Sequence, residues 1–220
     1  MNFWGFYSNF YNALNKLVPY QEHVNSIFQT VGSTLKSSNQ FYIDAGCGTG
    51  NLIRNRKNVV GIDFSQNMLK LASTHNPNSK FVIANLNDKL PFHDNTFQGG
   101  WSNNVLAYLE YPESTVAEFY RVLKPGAIFV LATLRPSFNP MIILREHLKK
   151  GSIFITIAYM LFIPILLILN IPIVYRLRKG IYKGFEIPSL KKIFETKGFQ
   201  VLECKHSYAD QDVLISVMKN

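Results

Sequence analysis

Near the start of the chain Phe3, Phe6, Tyr7, Phe10, Tyr11, Leu14 and Val18 recur at three- and four-residue intervals, the spacing that lines one face of an α-helix. A second helix is expected over 21–35, with Pro19 near its start, where a missing N–H is harmless, and Gly32 as a weak point. After Asn39 the period changes. Short apolar runs at 41–46, 58–63, 80–86, 97–103 and 127–134 read as buried strands, the fourth being the weakest. Helical stretches fall between them at 51–56, 66–74 and 114–123, the last ended by Lys124-Pro125-Gly126. Beyond the fifth strand, residues 153–175 carry no charged side chain. A helix over 189–198, closed by Gly198, precedes two strands at 199–204 and 212–218. These are close enough to pair as an antiparallel hairpin. Strands alternating with helices imply a parallel sheet covered on both faces.

The 220 residues suffice for one domain with an inserted element. A net charge of +9 points to an anionic partner: nucleic acid, anionic lipid or acidic substrate. Cys47 and Cys204 stand far apart without Cys or His companions at ligand spacing, so neither a disulfide framework nor a metal site is expected. The opening MNFWGFYSNF lacks the features of a secretory leader, and a reducing cytoplasmic compartment is the expectation.

Chemistry concentrates in Ile43-Asp-Ala-Gly-Cys-Gly-Thr-Gly-Asn-Leu52, which sets Gly46, Gly48 and Gly50 between a strand and an expected helix. Glycine permits a tight turn and close backbone approach to a ligand, and a helix N-terminus there would favour an anionic group. Asp63 ends the next strand, where a carboxylate can accept hydrogen bonds from both hydroxyls of a ribose.

This stretch resembles the class I S-adenosylmethionine (SAM) dependent methyltransferases of the type 11 kind, over roughly residue 41 to the C-terminus. DAGCGTG (44–50) has the D-x-G-x-G-x-G form rather than the G-x-G-x-x-G of NAD-binding turns. LPFHDNTFQGG, SNNVLAYLEYPE and EFYRVLKPGAIFVLAT follow in that family's order. The resemblance implies an α/β, three-layer Rossmann-like fold. Its seven-stranded sheet would have an antiparallel last strand, N-terminal helices and an apolar insert after strand 5. It also assigns roles. Asp44 and the backbone of Gly46, Cys47 and Gly48 would hold the methionyl part of SAM, and Asp63 the ribose. Phe64, Ser65 and Met68 would flank the adenine and sugar, Asn85 and Leu86 would face the adenine edge, and Ser102, Asn103 and Asn104 would close the methionyl side. Asn85 and Gln98 stand where aspartates are common in related sequences, but the Asn85 carbonyl can still accept from the adenine amino group. S-adenosylhomocysteine would be the product. Residues 1–38 would form a helical lid, and 39–220 the SAM-binding domain with a membrane-interacting insert at 138–183.

Methyl transfer asks the protein chiefly for proximity and orientation. Tyr7, Tyr11, Trp101, Tyr108 and Tyr208 are aromatic candidates for a pocket rim, where ring faces would suit a cationic headgroup. Tyr7 and Tyr11 are favoured because related enzymes carry a Tyr-containing lid helix, and His147, beside the insert, is the candidate base. No metal is expected.

Three readings of 153–175 compete: a transmembrane helix, a buried helix or lid, and a segment dipping into one leaflet, bent at Pro164 and Pro172. A single crossing would strand the terminal hairpin away from its sheet. Arg145, Lys149 and Lys150 before the stretch, and Arg176, Arg178, Lys179 and Lys183 after it, favour both ends on the cytoplasmic side of an anionic membrane. Basic groups that bracket an apolar run do not form a nucleic-acid stripe, so nucleic acid is not expected. The N-terminal FYSNFYNALNKLVPYQEHV (6–24) is similar to bacterial phospholipid N-methyltransferases and quinone C-methyltransferases. The expectation is therefore a peripheral, monotopic methyltransferase acting on a lipid, either an aminolipid headgroup such as phosphatidylethanolamine or a prenylated quinone. A soluble small-molecule methyltransferase with an apolar lid or dimer segment, and a SAM-binding protein without turnover, remain open. The sequence sets no oligomeric state.

Overall fold

Alternate residues of the strands face two different apolar layers, and that alternation builds the molecule. On one side Ile43, Ile62, Phe129, Leu131, Val213, Ile215 and Val217 join Phe119 and Phe194 in one cluster. On the other Tyr42, Val59, Trp101, Val130, Ala132 and Leu214 pack with Ile27 and Val31. The computed structural model describes residues 17–31, 40–54, 56, 58–151 and 162–220. Its elements in chain order are α1 (Val18–Val31), β1 (Tyr42–Ala45), β2 (Val59–Asp63), α2 (Gln66–His75), β3 (Lys80–Ile83), β4 (Phe97–Asn103), α3 (Pro112–Val122), β5 (Leu123–Leu134), α4 (Pro140–Lys150), α5 (Phe162–Arg178), α6 (Ile187–Thr196), β6 (Phe199–Ser207) and β7 (Asp212–Lys219).

The seven strands form one sheet in the order β3-β2-β1-β4-β5-β7-β6. The first five are parallel, and β7 runs antiparallel between β5 and β6. This is the expected architecture, hairpin included. Gly99 and Gly100 explain why β4 reads weakly: a Cβ at Gly100 would lie 2.2 Å from the Ile43 carbonyl, so the sheet closes there only without a side chain.

Two expectations change. Residues 51–54 make hydrogen-bonded turns instead of a helix (Ile53 N to Gly50 O, 3.1 Å). No helix N-terminus therefore serves the glycine turn. The described part of the expected lid, α1, lies against the sheet with Ile27 and Val31 fully buried, and none of its residues lines the cavity described below. Tyr7 and Tyr11 lie outside the described residues.

The chain leaves the sheet at Leu134 and returns at Phe185, whose N–H donates to the Leu134 carbonyl at 2.9 Å. Between these points α4 starts at an Asn139 cap with Pro140 in its first turn. Helix α5 continues through Pro172 despite the hydrogen bond proline cannot give. Leu17, Tyr20, Ile143, Ile173, Leu177 and Tyr208 form a third cluster that fixes both helices to α1 and to the β6–β7 turn. Among the described residues no helix is long and apolar enough to cross a membrane.

Candidate active site

Strand order reverses between β1 and β4, since the chain after β1 goes to one side and the chain after β3 to the other. Ligands of open α/β sheets bind at such a switch point, beyond the carboxyl ends of the strands. A cavity of about 410 Å³ opens there, within the range of small-molecule sites.

Its first wall is the turn after β1. Gly46 and Cys47 donate their N–H groups to the Ile62 carbonyl at 2.8 and 2.9 Å, which ties the turn to β2. Gly46 has φ +78°, and a Cβ on it would meet Val105 Cγ2 at 2.3 Å. Only glycine lets this backbone pass so close to the loop after β4. A Cβ at Gly48, by contrast, would meet nothing within 4 Å: that backbone faces open space.

Asp63 holds the second wall. Its Oδ2 accepts the Gly48 N–H at 3.0 Å and its Oδ1 the Ser65 N–H at 2.9 Å, so one carboxylate clasps both the turn and the start of α2. Each oxygen keeps a lone pair for a ligand. Burial raises this carboxyl above the usual range, opposed by N–H groups of Ser65, Gly48 and Phe64.

Nine of the residues assigned from sequence line the cavity: Gly46, Gly48, Asp63, Phe64, Met68, Asn85, Leu86, Asn103 and Asn104. Four others stand behind the wall. Cys47 packs in the second core cluster, its thiol pushed up mainly by burial. Ser65 caps α2 by accepting the Met68 N–H, and the Ser102 hydroxyl donates to the Ala45 carbonyl at 2.8 Å. Asp44 is buried with Oδ2 unpartnered, and burial pushes it up to about 7. The Asn85 carbonyl oxygen accepts from the Asn87 N–H at 3.1 Å and from the Asn87 side-chain amide at 3.3 Å.

Of the aromatic candidates among the described residues, only Tyr108 reaches the cavity. Trp101 is fully buried edge-on against Phe28, and Tyr208 is buried against Tyr20 and His23. His147 is also placed elsewhere. Its Nδ1 accepts the Val18 N–H at 3.2 Å, joining α4 to the start of α1, and it does not line the cavity. Burial lowers its pKa.

Sequence reasoning missed two features. Tyr182 forms part of the cavity wall, packed edge-on to Tyr108 with ring centroids 4.8 Å apart. It stands seven positions past the uncharged stretch, with no spacing to connect it to the glycine turn. The second is a buried polar cluster. His23 Nε2 lies 2.7 Å from Asn103 Oδ1 and 3.8 Å from Asp212 Oδ2, and its Nδ1 lies 2.8 Å from Ser207 Oγ. Burial lowers His23 to about 4 and raises Asp212 to about 7. Four partners from three distant segments leave no local pattern to read.

The cavity fits a SAM-like ligand on two counts: open space over Gly48 and free lone pairs on the Asp63 carboxylate. Among the described residues no group of His, Cys, Asp and Glu is arranged to hold a metal.

Residues 43–131 match the methyltransferase domain family. The chain is 30% identical over 131 residues to the malonyl-[acyl-carrier protein] O-methyltransferase of Buchnera aphidicola subsp. Baizongia pistaciae, covering 56% of this chain and 53% of that protein. It is also 30% identical over 148 residues to the demethylmenaquinone methyltransferase of Symbiobacterium thermophilum, covering 60% and 57%. The chain thus spans little more than half the length of these curated relatives. Magnesium protoporphyrin IX methyltransferase from Synechocystis PCC 6803, solved with bound S-adenosylhomocysteine, shares the fold at a TM-score of 0.62 and 14% identity, over 92% of this chain and 84% of that one. Residues 43–131 thus resemble the methyltransferase domain family, and the seven-stranded fold around them is the one seen in solved SAM-dependent methyltransferases.

Proposed function

We propose that this chain is a SAM-dependent methyltransferase that rests on the cytoplasmic face of an anionic membrane and methylates a lipid-soluble acceptor. Bound SAM would supply an activated methyl group for transfer to an acceptor lone pair. The chain's contribution is placement. Asp63 would accept from the ribose hydroxyls while holding Gly48 in line, Asp44 would hold a cationic part of the donor, and Phe64, Met68 and Leu86 would wall the adenine side. Tyr108 and Tyr182, at the other end of the same cavity, would keep water from the acceptor. The relative named for demethylmenaquinone is consistent with a greasy acceptor.

The observation that carries the reading is the double role of the insert. On α5, Ile168, Ile171 and Tyr175 follow one helical face and remain 58–63% exposed, while Leu169, Ile173 and Leu177 on the opposite side are buried. Met141, Ile142 and Leu148 of α4 add further exposed apolar surface. Four residues past α5 the same segment delivers Tyr182 to the cavity wall. An apolar face of this kind marks an interaction site. The cations around it give its partner a negative sign. Lys149 is paired with Glu146 and Lys150 with Glu22, but Arg145, Arg178 and Lys179 enter no ion pair among the described residues. Each basic group near an anionic bilayer adds about 1 kcal/mol of attraction.

Methyl-labelled SAM incubated with total lipid extract, followed by chromatography, tests the acceptor: label in the organic phase supports the reading. Co-sedimentation with vesicles containing phosphatidylglycerol tests attachment. The exchange Ile168→Ser/Ile171→Ser/Tyr175→Ser should abolish pelleting while leaving S-adenosylhomocysteine binding intact. Label confined to water-soluble products, or equal pelleting of that variant, would remove the membrane part and leave a soluble methyltransferase.

A further inference from the structure

The cavity has two chemically distinct ends. One is the Gly46–Gly48 turn with Asp63. The other is the aromatic pair Tyr108 and Tyr182, and Tyr182 is held from behind by a cation. The Arg176 guanidinium donates through Nη1 to the Tyr182 hydroxyl oxygen at 3.2 Å, and its carbon lies 5.5 Å from the ring centroid. The backbone fixes this arrangement, since the Arg176 carbonyl accepts the N–H groups of both Ile181 and Tyr182. Arg176 enters no ion pair among the described residues. Beside it the Lys183 N–H donates to the Ala107 carbonyl and its Nζ to the Glu110 carbonyl, so the segment after α5 is sewn onto the turn that carries Tyr108.

A tyrosine whose oxygen accepts from an arginine keeps its own O–H free to donate. That donor needs an acceptor atom, and the adjacent positive charge favours one that is negative. The same arrangement disfavours a methylammonium at this ring, because Tyr182 already has a guanidinium beside it and a second cation would be repelled. The aromatic end is therefore built for an oxyanion.

We propose that Tyr182, positioned and polarised by Arg176, is a specificity-determining residue of the acceptor site, and that it recognises an anionic oxygen of an amphiphilic acceptor, a phosphodiester or a phenolate. This deepens the function proposed above and rests on it. Tyr182 touches the acceptor; Arg176 acts through Tyr182 and is a positioning residue.

The probes are three soluble amphiphiles titrated calorimetrically into the full chain saturated with S-adenosylhomocysteine: dihexanoylphosphatidylethanolamine, a short-chain alkyl hydroquinone at a pH that ionises it, and hexyltrimethylammonium. The first or second should bind, and which of them binds separates a phosphodiester from a phenolate; the ammonium should not. Tyr182→Phe and Arg176→Met should each weaken the binding probe by about five- to tenfold, the loss of a hydrogen bond of ordinary strength. Arg176→Lys should recover part of that loss, and Lys192→Met, an equal change of charge on α6, should lose less than twofold. Hexyltrimethylammonium binding as tightly as the two oxyanion-bearing probes, or indifference to Arg176→Met, would overturn the proposal. S-adenosylhomocysteine affinity, measured in the same series, reports failure of the methyltransferase reading separately: it should hold in all four variants.

Discussion

Asp63→Asn strikes the one side chain on which the donor end of the cavity depends. In the native protein its two oxygens accept the Gly48 and Ser65 N–H groups at 3.0 and 2.9 Å. An amide of the same shape can accept only one of these and presents an NH₂ to the other. The variant therefore loses one hydrogen bond to a charged group, about 1.5–3 kcal/mol. At about 2–4 °C per kcal/mol for a chain of this size, Tm should fall by about 5–10 °C. The ligand suffers separately. A ribose that donated to a carboxylate would donate to a neutral amide whose lone pairs are half as many, and S-adenosylhomocysteine should bind at least about tenfold more weakly. Calorimetric titration with S-adenosylhomocysteine and thermal unfolding of the same preparations measure the two effects. Asp63→Ala, which leaves both N–H groups without their acceptor, should exceed Asp63→Asn in both. An unchanged Tm would refute the clasp, and an affinity within twofold of native would refute the ribose assignment.

Gly46→Ala should destabilise the protein by about 1–3 kcal/mol, because its Cβ falls 2.3 Å from Val105 at φ +78°. Chemical denaturation should show Val105→Ala restoring the part due to the clash and not the part due to φ; full additivity of the two changes would show that they never meet. Asp212 offers a pH test. Burial raises its folded value from 3.8 to about 7, so its contribution is complete below about pH 4 and is lost as pH climbs towards 7. His23, lowered from 6.5 to about 4, acts in the opposite direction over pH 4–6.5 and is retained in Asp212→Asn. Relative to native, that variant should gain stability as pH rises from 4 to 7, by up to about 4 kcal/mol at about 1.4 kcal/mol per pH unit. A difference independent of pH in urea titrations would show that the carboxyl does not titrate in the folded protein.

Much of the donor end was legible because its residues are neighbours in sequence. A strand, a glycine turn and a strand ending in Asp63 impose their geometry within a few tens of residues, and Gly46, Gly48, Asp63, Phe64 and Met68 all reach the cavity. The alternation of strands and helices likewise foretold the seven-stranded sheet and its terminal hairpin, since each apolar run has to be buried on both faces. Where reading failed, local pattern was misleading or silent. Residues 51–54 have helical composition but make hydrogen-bonded turns. Trp101 and Tyr208 look like pocket aromatics, yet side-chain type says nothing about which side of a strand or turn will face a ligand.

The sequence alone determined the class of fold, the glycine turn and the Asp63 that serves it, because these rest on hydrophobic period and on backbone freedom, both properties of short segments. Tertiary structure decided the rest. It placed His147 between two helices, gathered His23, Asn103, Ser207 and Asp212 into one buried cluster, and brought Tyr182 with Arg176 from the insert to face Tyr108. Those contacts join segments separated by dozens of residues. Only the closing of the sheet and the return of the chain from Leu134 to Phe185 set their distances.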